Sequence, residues 1–310
     1  MTLCDCEVGT LNPIEKSANR TARGAESLRP NFLIIGAAKC ATTVLCRMLS
    51  EHPQVFIPPM KEVYFFNDDD LFFRRGWPWY ESLFVEGRDR PFRGEGTPLY
   101  TIRNEYPQVA DRIAEALPDA KLIYMVRHPL RQIESWWIQA RANGNTNVPA
   151  EFNQAIRERF DWMVGPANYL YQLDAYQSRF DRSQILVQFY EDFCSDPSSV
   201  VRRTLEFIGA DVKLAPDNSK MRVNVSDGKK VLDPRFDSFR EKPVVRALKK
   251  LLPTKMKYHL IRKLFVRVPW QGRPQWHDSS RAMVIDAIGE STSKFLSEHD
   301  RPKDFWDLSQ

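Results

Sequence analysis

Apolar residues along this chain come in two rhythms that take turns. Phe32–Ile35 and Leu122–Val126 are continuous apolar runs, and Ile185–Phe189 nearly so. Strands covered on both faces read this way, without polar alternation. Between such runs the apolar positions recur at helical spacing, as in Val44, Leu45, Met48 and Leu49. The pattern predicts strands at 32–36, 93–97, 121–126 and 184–190. It predicts helices at 42–51, 78–84, 105–117, 130–142, 151–160, 167–180 and 198–208. Strands alternating with helices specify a three-layer α/β fold, a central parallel sheet flanked by helices. Ligands of such sheets bind beyond the carboxyl ends of the strands. Gly36, Lys39, Thr97 and Arg127 all fall there.

Two stretches break the rhythm. Residues 1–30 are polar and without period, which reads as a mobile tail ahead of a single domain over 31–306. No apolar core of a signal peptide lies in them. Residues 213–275 are the least sheet-like, with a helical, basic insert near 233–265. Val244, Val245, Leu248, Leu251 and Leu252 fit one helical face, and between Arg240 and Lys263 the only acid is Glu241. A packed helix with a solvated basic face accounts for this, and a lid or docking surface for an acidic acceptor or an anionic membrane is the sharper alternative. The acidic run Asn67–Asp70 reads as a solvated turn.

The first strand leads into Gly36-Ala-Ala-Lys-Cys-Ala-Thr-Thr43 and then a helix. Strand, small-residue turn and helix make a phosphate cradle, in which turn amides and the positive end of the helix dipole face one anion. Lys39 adds a charge, and Thr42 and Thr43 add hydroxyls. A kinase loop places glycine before the lysine and a hydroxyl directly after it. Here Ala38 precedes Lys39 and Cys40 follows. An ordinary turn with one exposed lysine is the plainer reading. The strand at 121–126 runs into Arg127-His128-Pro129, where a magnesium-dependent kinase often has a metal-binding aspartate. Arginine offers phosphate a fixed fork of donors. Pro129 suits a first helical turn, and Ser135 follows in that helix. Taken alone, Arg127 and Ser135 fit a structural ion pair and a surface serine equally well.

Together these segments resemble the 5′-phosphosulfate loop (Gly36–Thr43) and the 3′-phosphate site (Arg127, Ser135) of sulfotransferases that use 3′-phosphoadenosine 5′-phosphosulfate. Weaker similarities follow in order: Lys61-Glu62-Val-Tyr-Phe-Phe66 and Glu95-Gly-Thr-Pro-Leu-Tyr100 resemble segments of the heparan-sulfate-type branch, with Gly96 where that branch has lysine. The resemblance covers about residues 31–306 and implies the P-loop-containing nucleotide hydrolase-like fold. It implies that Gly36, Ala37, Ala38, Lys39, Cys40, Ala41, Thr42 and Thr43 hold the 5′ end of the donor. It implies that Arg127 and Ser135 hold the 3′-phosphate, with Arg222, Lys229 and Lys230 closing the clamp. Lys39 then faces the leaving oxygen, the product is adenosine 3′,5′-bisphosphate, and no metal is required. A general base is also needed. Glu62 matches the branch's glutamate, and an aromatic setting among Tyr64, Phe65 and Phe66 would raise its pKa. An ion pair with Lys61 is the plainer account. Glu95 is second choice, and it is equally suited to anchoring the Thr97-Pro98 turn. His52 reads as a helix terminator and His128 as lying at the donor end.

Composition adds little. The chain has 310 residues, 43% of them hydrophobic, enough for a large core. A net charge of +5 suits an anionic donor without implying nucleic acid. Cys4, Cys6, Cys40, Cys46 and Cys194 are odd in number, lack paired metal spacing and are expected to be reduced. No apolar run of about 20 residues suggests a transmembrane helix. The expectation is a soluble, cytoplasmic, bacterial enzyme acting on a small-molecule, lipid or glycan acceptor, of open oligomeric state. A P-loop small-molecule kinase and a non-catalytic nucleotide-binding module are the alternatives.

Overall fold

The structure, a computed structural model, describes residues 28–60, 62–145, 147–215, 229–232 and 267–309. Strand β1 (Phe32–Gly36) runs through the middle of a five-stranded sheet and leads into helix α1 (Thr42–Ser50). A two-residue strand β2 (Val55–Phe56), helix α2 (Gly76–Ser82) and strand β3 (Phe92–Gly96) follow. Helix α3 (Val109–Ala116) leads to β4 (Lys121–Val126), and α4 (Pro129–Ala142) leaves its carboxyl end. Helices α5 (Phe152–Glu158), α6 (Phe160–Val164) and α7 (Tyr169–Gln177) precede β5 (Ile185–Phe189). Then come α8 (Tyr190–Ser195), α9 (Pro197–Ile208), the strand pair β6 (Lys230–Leu232) and β7 (Arg267–Pro269), and α10 (Asp278–Glu298).

The sheet order is β2-β3-β1-β4-β5 and every pair is parallel. Strand β1 is completely buried, as its unbroken apolar run requires. The next strand in sequence lies on one side of β1 and β4 on the other, so the order reverses at β1. Crevices at such a reversal are where open α/β sheets bind ligands. The β1–β4 register shifts between Ile34 and Gly36, just before the turn. A β-carbon at Gly36 would run into the side chain of Thr101, so glycine is what lets the segment Pro98–Thr101 press against the strand end.

The expected α/β elements are present, with the 151–160 helix split by Arg159 into α5 and α6. Two features differ from expectation. Strand β2 is too short to show a period. The acidic run is structured rather than simply solvated: Asp68 Oδ1 accepts from the amides of Asp70 and Leu71 at 2.9 and 3.1 Å, which starts a π-helical turn over Asp70–Arg75. Asp69 pairs with Arg112 at 2.6 Å. His52 is buried, with its ring Nε2 3.0 Å from the Asp211 carbonyl. The tail to residue 27, Lys61, Arg222 and the 233–265 insert lie outside the described residues.

Candidate active site

Backbone geometry makes the first half of the site. Lys39 and Ala41 both sit in the left-handed region, at φ 71° and 65°. Non-glycine residues enter that region at a cost, and such residues cluster at ligand sites. The amides of Val44 and Leu45 both turn back to the Ala41 carbonyl, at 2.9 and 3.1 Å. The amides just before them are the ones a helix start leaves for an anion. Thr42 is buried at that start, and Thr42 and Thr43 both border a cavity of about 590 Å³.

The rest of the cavity comes from distant segments. Arg127 enters from the end of β4 and lies over the ring of Tyr190, 4.3 Å from its centroid. Ser135, Trp136, Gln139 and Asn143 line it from α4. Lys229, just ahead of β6, reaches the same space. Lys39 Nζ and Lys229 Nζ each donate to Gln139 Oε1 at 2.9 Å. Gln139 Nε2 donates to Asn143 Oδ1 at 2.8 Å, which fixes which way the amide faces. Two ammonium groups on one neutral oxygen repel each other, so an anion between them is favoured. Lys39, Arg127 and Lys229, the aliphatic hydroxyls of Thr42, Thr43 and Ser135, and a helix start around one space match a donor with anionic groups at two ends.

The two candidate carboxylates part company. Glu62 borders the cavity. It stands in the left-handed region at φ 60°, as does Tyr64, whose hydroxyl donates to it. Burial and the neighbouring Glu62 push the Tyr64 phenol well up, so it remains a donor. Glu95 does not border the cavity. It is 1% exposed and accepts from the hydroxyls of Tyr100 at 2.6 Å, Thr97 at 2.7 Å and Tyr80 at 3.4 Å. Burial raises its pKa to about 7, against the opposing pull of those hydrogen bonds.

Of the aromatic side chains expected around Glu62, Tyr64 is bonded to it. Phe65 and Phe66 point into the core, and Phe65 stacks on Tyr80 at 4.1 Å. Glu95 instead anchors the next turn: Thr97, which donates to it, accepts from the Tyr64 amide at 3.2 Å. The other predicted site residues divide between those that border the cavity and those that do not. Gly36, Ala37 and Cys40 do not border the cavity. Ala37 N–H bonds the Met125 carbonyl at 2.5 Å, and Cys40 is buried, its thiol pushed up to about 12 by that burial. Lys230 is exposed in β6, opposite Pro269, while Lys229 faces Lys39. Ala38, Lys39, Ala41, Thr42, Thr43, Glu62, Arg127, Ser135 and Lys229 do converge on the cavity. His128 lies at this end, its ring 3.0 Å from the Asp307 carbonyl and its pKa lowered chiefly by burial.

Sequence reasoning missed Gln139, Trp136 and Tyr190. Gln139 carried a signal, since it stands four residues after Ser135 and so on the same face of α4. Tyr190 carried none, because its place depends on where β5 ends.

Comparison with known proteins agrees with this geometry. The model of the sulfotransferase domain family matches residues 29–263. Heparan sulfate glucosamine 3-O-sulfotransferase 6 of Homo sapiens is 31% identical over 190 residues, covering 58% of this chain and 52% of that protein. The membrane-associated sulfotransferase kil1 of Dictyostelium discoideum is 36% identical over 139 residues, 43% of this chain and 28% of that protein. The chain therefore matches about half the length, or less, of these curated relatives. The crystal structure of a sulfotransferase from Alicyclobacillus acidocaldarius superposes with a TM-score of 0.62 at 24% identity, over 90% of this chain and 98% of that one, so the fold is shared. With the family model spanning most of its length, the chain belongs to the sulfotransferase domain family.

Proposed function

We propose that this protein transfers the sulfuryl group of 3′-phosphoadenosine 5′-phosphosulfate to a hydroxyl or amine. The observation that carries the reading is the convergence of Lys39, Arg127, Lys229, Ser135 and the α1 start on one cavity that Glu62 also borders. Arg127 and Ser135 hold the 3′-phosphate. The turn amides, Thr42 and Thr43 hold the 5′ end. Lys39 offsets the charge that develops on the leaving phosphate oxygen, and Lys229, brought beside it by Gln139, shares that task. This refines the expected role of Lys229 in the 3′-phosphate clamp. Glu62 takes the acceptor proton, with Tyr64 fixing the carboxylate. In balance, the sulfur–oxygen bond to the 5′-phosphate breaks and one to the acceptor oxygen or nitrogen forms. Adenosine 3′,5′-bisphosphate leaves as the acceptor proton passes to Glu62. A glycan acceptor is one class that the relatives named for heparan sulfate suggest.

Calorimetry tests the donor. Adenosine 3′,5′-bisphosphate is expected to bind without magnesium and at least tenfold more tightly than ADP, because Arg127 and Ser135 serve a phosphate that ADP lacks. Equal affinity for ADP, or binding only with magnesium, overturns the reading. Arg127→Ala is expected to weaken bisphosphate binding by about 2–5 kcal/mol, the loss typical of a charge partner removed from a desolvated pair.

A further inference from the structure

Past the last rungs of the sheet, the ends of β4 and β5 stay joined through side chains. The final paired residues of the two strands are Val126 and Phe189. One residue on, the Arg127 guanidinium lies over the Tyr190 ring, 4.3 Å from its centroid. One residue further, the His128 amide donates to Glu191 Oε1 at 2.8 Å. Tyr169 of α7 presents its hydroxyl to the Arg127 main chain. The backbone at 127–128 is thus met by side chains from two helices. Pro129 follows with a ring-fixed φ and no amide to hold.

Glu191 does not border the donor cavity, whereas Arg127 and Tyr190 do. Its carboxylate is engaged through Oε1, and Oε2 is buried with no hydrogen-bond partner among the described residues. A carboxylate half committed in this way is costly to bury. An acid that satisfies an amide at a helix start is common, and that plain role explains the bond as such. It does not explain why the amide served is the one directly after Arg127. The charges of Glu191 and Arg127 act in opposite directions on both the Cys40 thiol and the Tyr190 phenol, so the two groups share one neighbourhood. Yet the carboxylate is turned to the backbone, and the guanidinium rests on a ring face. A ring face holds a guanidinium without using its N–H donors, which stay available to an incoming phosphate. The carboxylate is itself held in place, because Asp192 beside it pairs with Arg301, whose guanidinium also lies 4.4 Å from the Phe189 ring centroid.

We propose that Glu191 is a positioning residue for donor recognition: by holding the His128 amide it fixes the main chain from which Arg127 projects, and so sets the preference for a nucleotide that carries a 3′-phosphate. The assignment rests on the sulfuryl-transfer reading, in which Arg127 meets that phosphate. Glu191 touches neither donor nor acceptor. Its influence passes through Arg127 alone and disappears when Arg127 is removed. Bidentate recognition of a phosphate depends on the angle at which the guanidinium fork arrives, and a main chain free to shift loses that angle.

The test is calorimetry on the full chain with adenosine 3′,5′-bisphosphate and with adenosine 5′-monophosphate, which differs only in lacking the 3′-phosphate. The quantity read is the ratio of the two affinities. Glu191→Ala should lower that ratio by roughly tenfold or more, the scale of a displaced positioning group, with monophosphate affinity within about twofold of wild type. Glu191→Gln keeps an oxygen for the His128 amide and should retain most of the ratio. In a double-mutant cycle, adding Glu191→Ala to Arg127→Ala should change the ratio no further, whereas a merely structural loss would weaken both nucleotides and add to the effect of Arg127→Ala. Should Glu191→Ala fail to fold, Glu191→Asp, which draws the carboxylate back by one methylene, carries the same expectation. A wild-type ratio in the alanine variant, or in the aspartate variant that replaces it, overturns the proposal. So do equal losses for both nucleotides, a Glu191→Gln ratio as low as that of Glu191→Ala, or full additivity with Arg127→Ala. If the wild-type chain prefers the bisphosphate in those cases, only the Glu191 assignment falls. A wild-type chain that binds the monophosphate as tightly as the bisphosphate brings down the donor reading itself.

Discussion

Glu62 and Glu95 lie close enough for the charge of the first to raise the pKa of the second, yet the fold gives them opposite settings. Glu62 is on a loop whose backbone is held in the left-handed region, beside a cavity lined by lysines and arginine. Glu95 is buried near the end of β3, ringed by three hydroxyls. A carboxylate that must receive a proton from an incoming molecule needs access first and a tuned pKa second. Glu95 has the raised pKa and no access. A raised pKa by itself does not mark a base, because structural networks perturb pKa as strongly as catalytic ones do.

The sharpest way to break this comparison is to remove each charge with its shape retained. Glu62→Gln is expected to lower turnover by roughly 10²–10⁴, the usual worth of a general base, with bisphosphate affinity nearly unchanged. Single-turnover rates and calorimetry on the same preparation check both halves. Wild-type turnover in Glu62→Gln, with turnover lost in Glu95→Gln, would exchange the roles. Next in size is Lys39→Ala. It should cost about 10²–10³ in kcat, the scale of one lost charge-stabilising donor, with a smaller change in bisphosphate binding. Full activity would remove Lys39 from the chemistry and leave Lys229 to act alone.

The part of this arrangement legible in the sequence is the part built locally. Strand β1, its turn and α1 are contiguous, so apolar runs and small residues sufficed to place Lys39, Thr42 and Thr43. Arg127 and Ser135 were legible because one strand end and one helix carry both. What the sequence did not show depends on segments meeting across the fold. Glu95 looks like any strand-end acid until Tyr80 from α2 and Tyr100 from beyond β3 close over it. Lys229 and Lys230 are adjacent, and the pairing of β6 with β7 places the second opposite Pro269 while the first reaches Gln139.

A third effect concerns the pH dependence of stability that Glu95 brings. Burial raises Glu95 from 4.5 to about 7 in the folded chain. Between those values the folded protein keeps a proton that the unfolded chain has lost. The contribution of the neutral carboxyl is therefore fully present below 4.5 and is lost as pH rises through about 7. Thermal unfolding between pH 5 and 8 should show stability falling with pH by a few kcal/mol at most, a ceiling set by about 1.4 kcal/mol per pKa unit. Glu95→Gln cannot titrate and should flatten that slope. An unchanged slope would show that Glu95 ionises normally and is not the buried acid described above.

The smallest effect tests how the two carboxylates are joined. The Tyr64 amide bonds Thr97 Oγ1, the Thr97 hydroxyl bonds Glu95, and Tyr100 bonds the same carboxyl at 2.6 Å while accepting from the Phe66 amide at 3.5 Å. The buried acid thus holds the loop from which Glu62 projects. Tyr100→Phe removes one hydroxyl, keeps the ring and leaves Thr97 in place. It should cost about 1 kcal/mol of stability, the net worth of an ordinary hydrogen bond, and somewhat more if the carboxyl is left short of partners. The Tyr100 hydrogen bond lowers the Glu95 pKa, so its loss should move the pH-dependent fall in stability upward. Turnover should drop by less than tenfold, because Glu62 and its Tyr64 partner stay in place while the loop beneath them loosens. Chemical unfolding across the same pH range, read beside kcat, checks all three. A turnover loss as large as that of Glu62→Gln would mean that the buried network takes part in proton transfer, and the division between an accessible base and a structural acid would have to be given up.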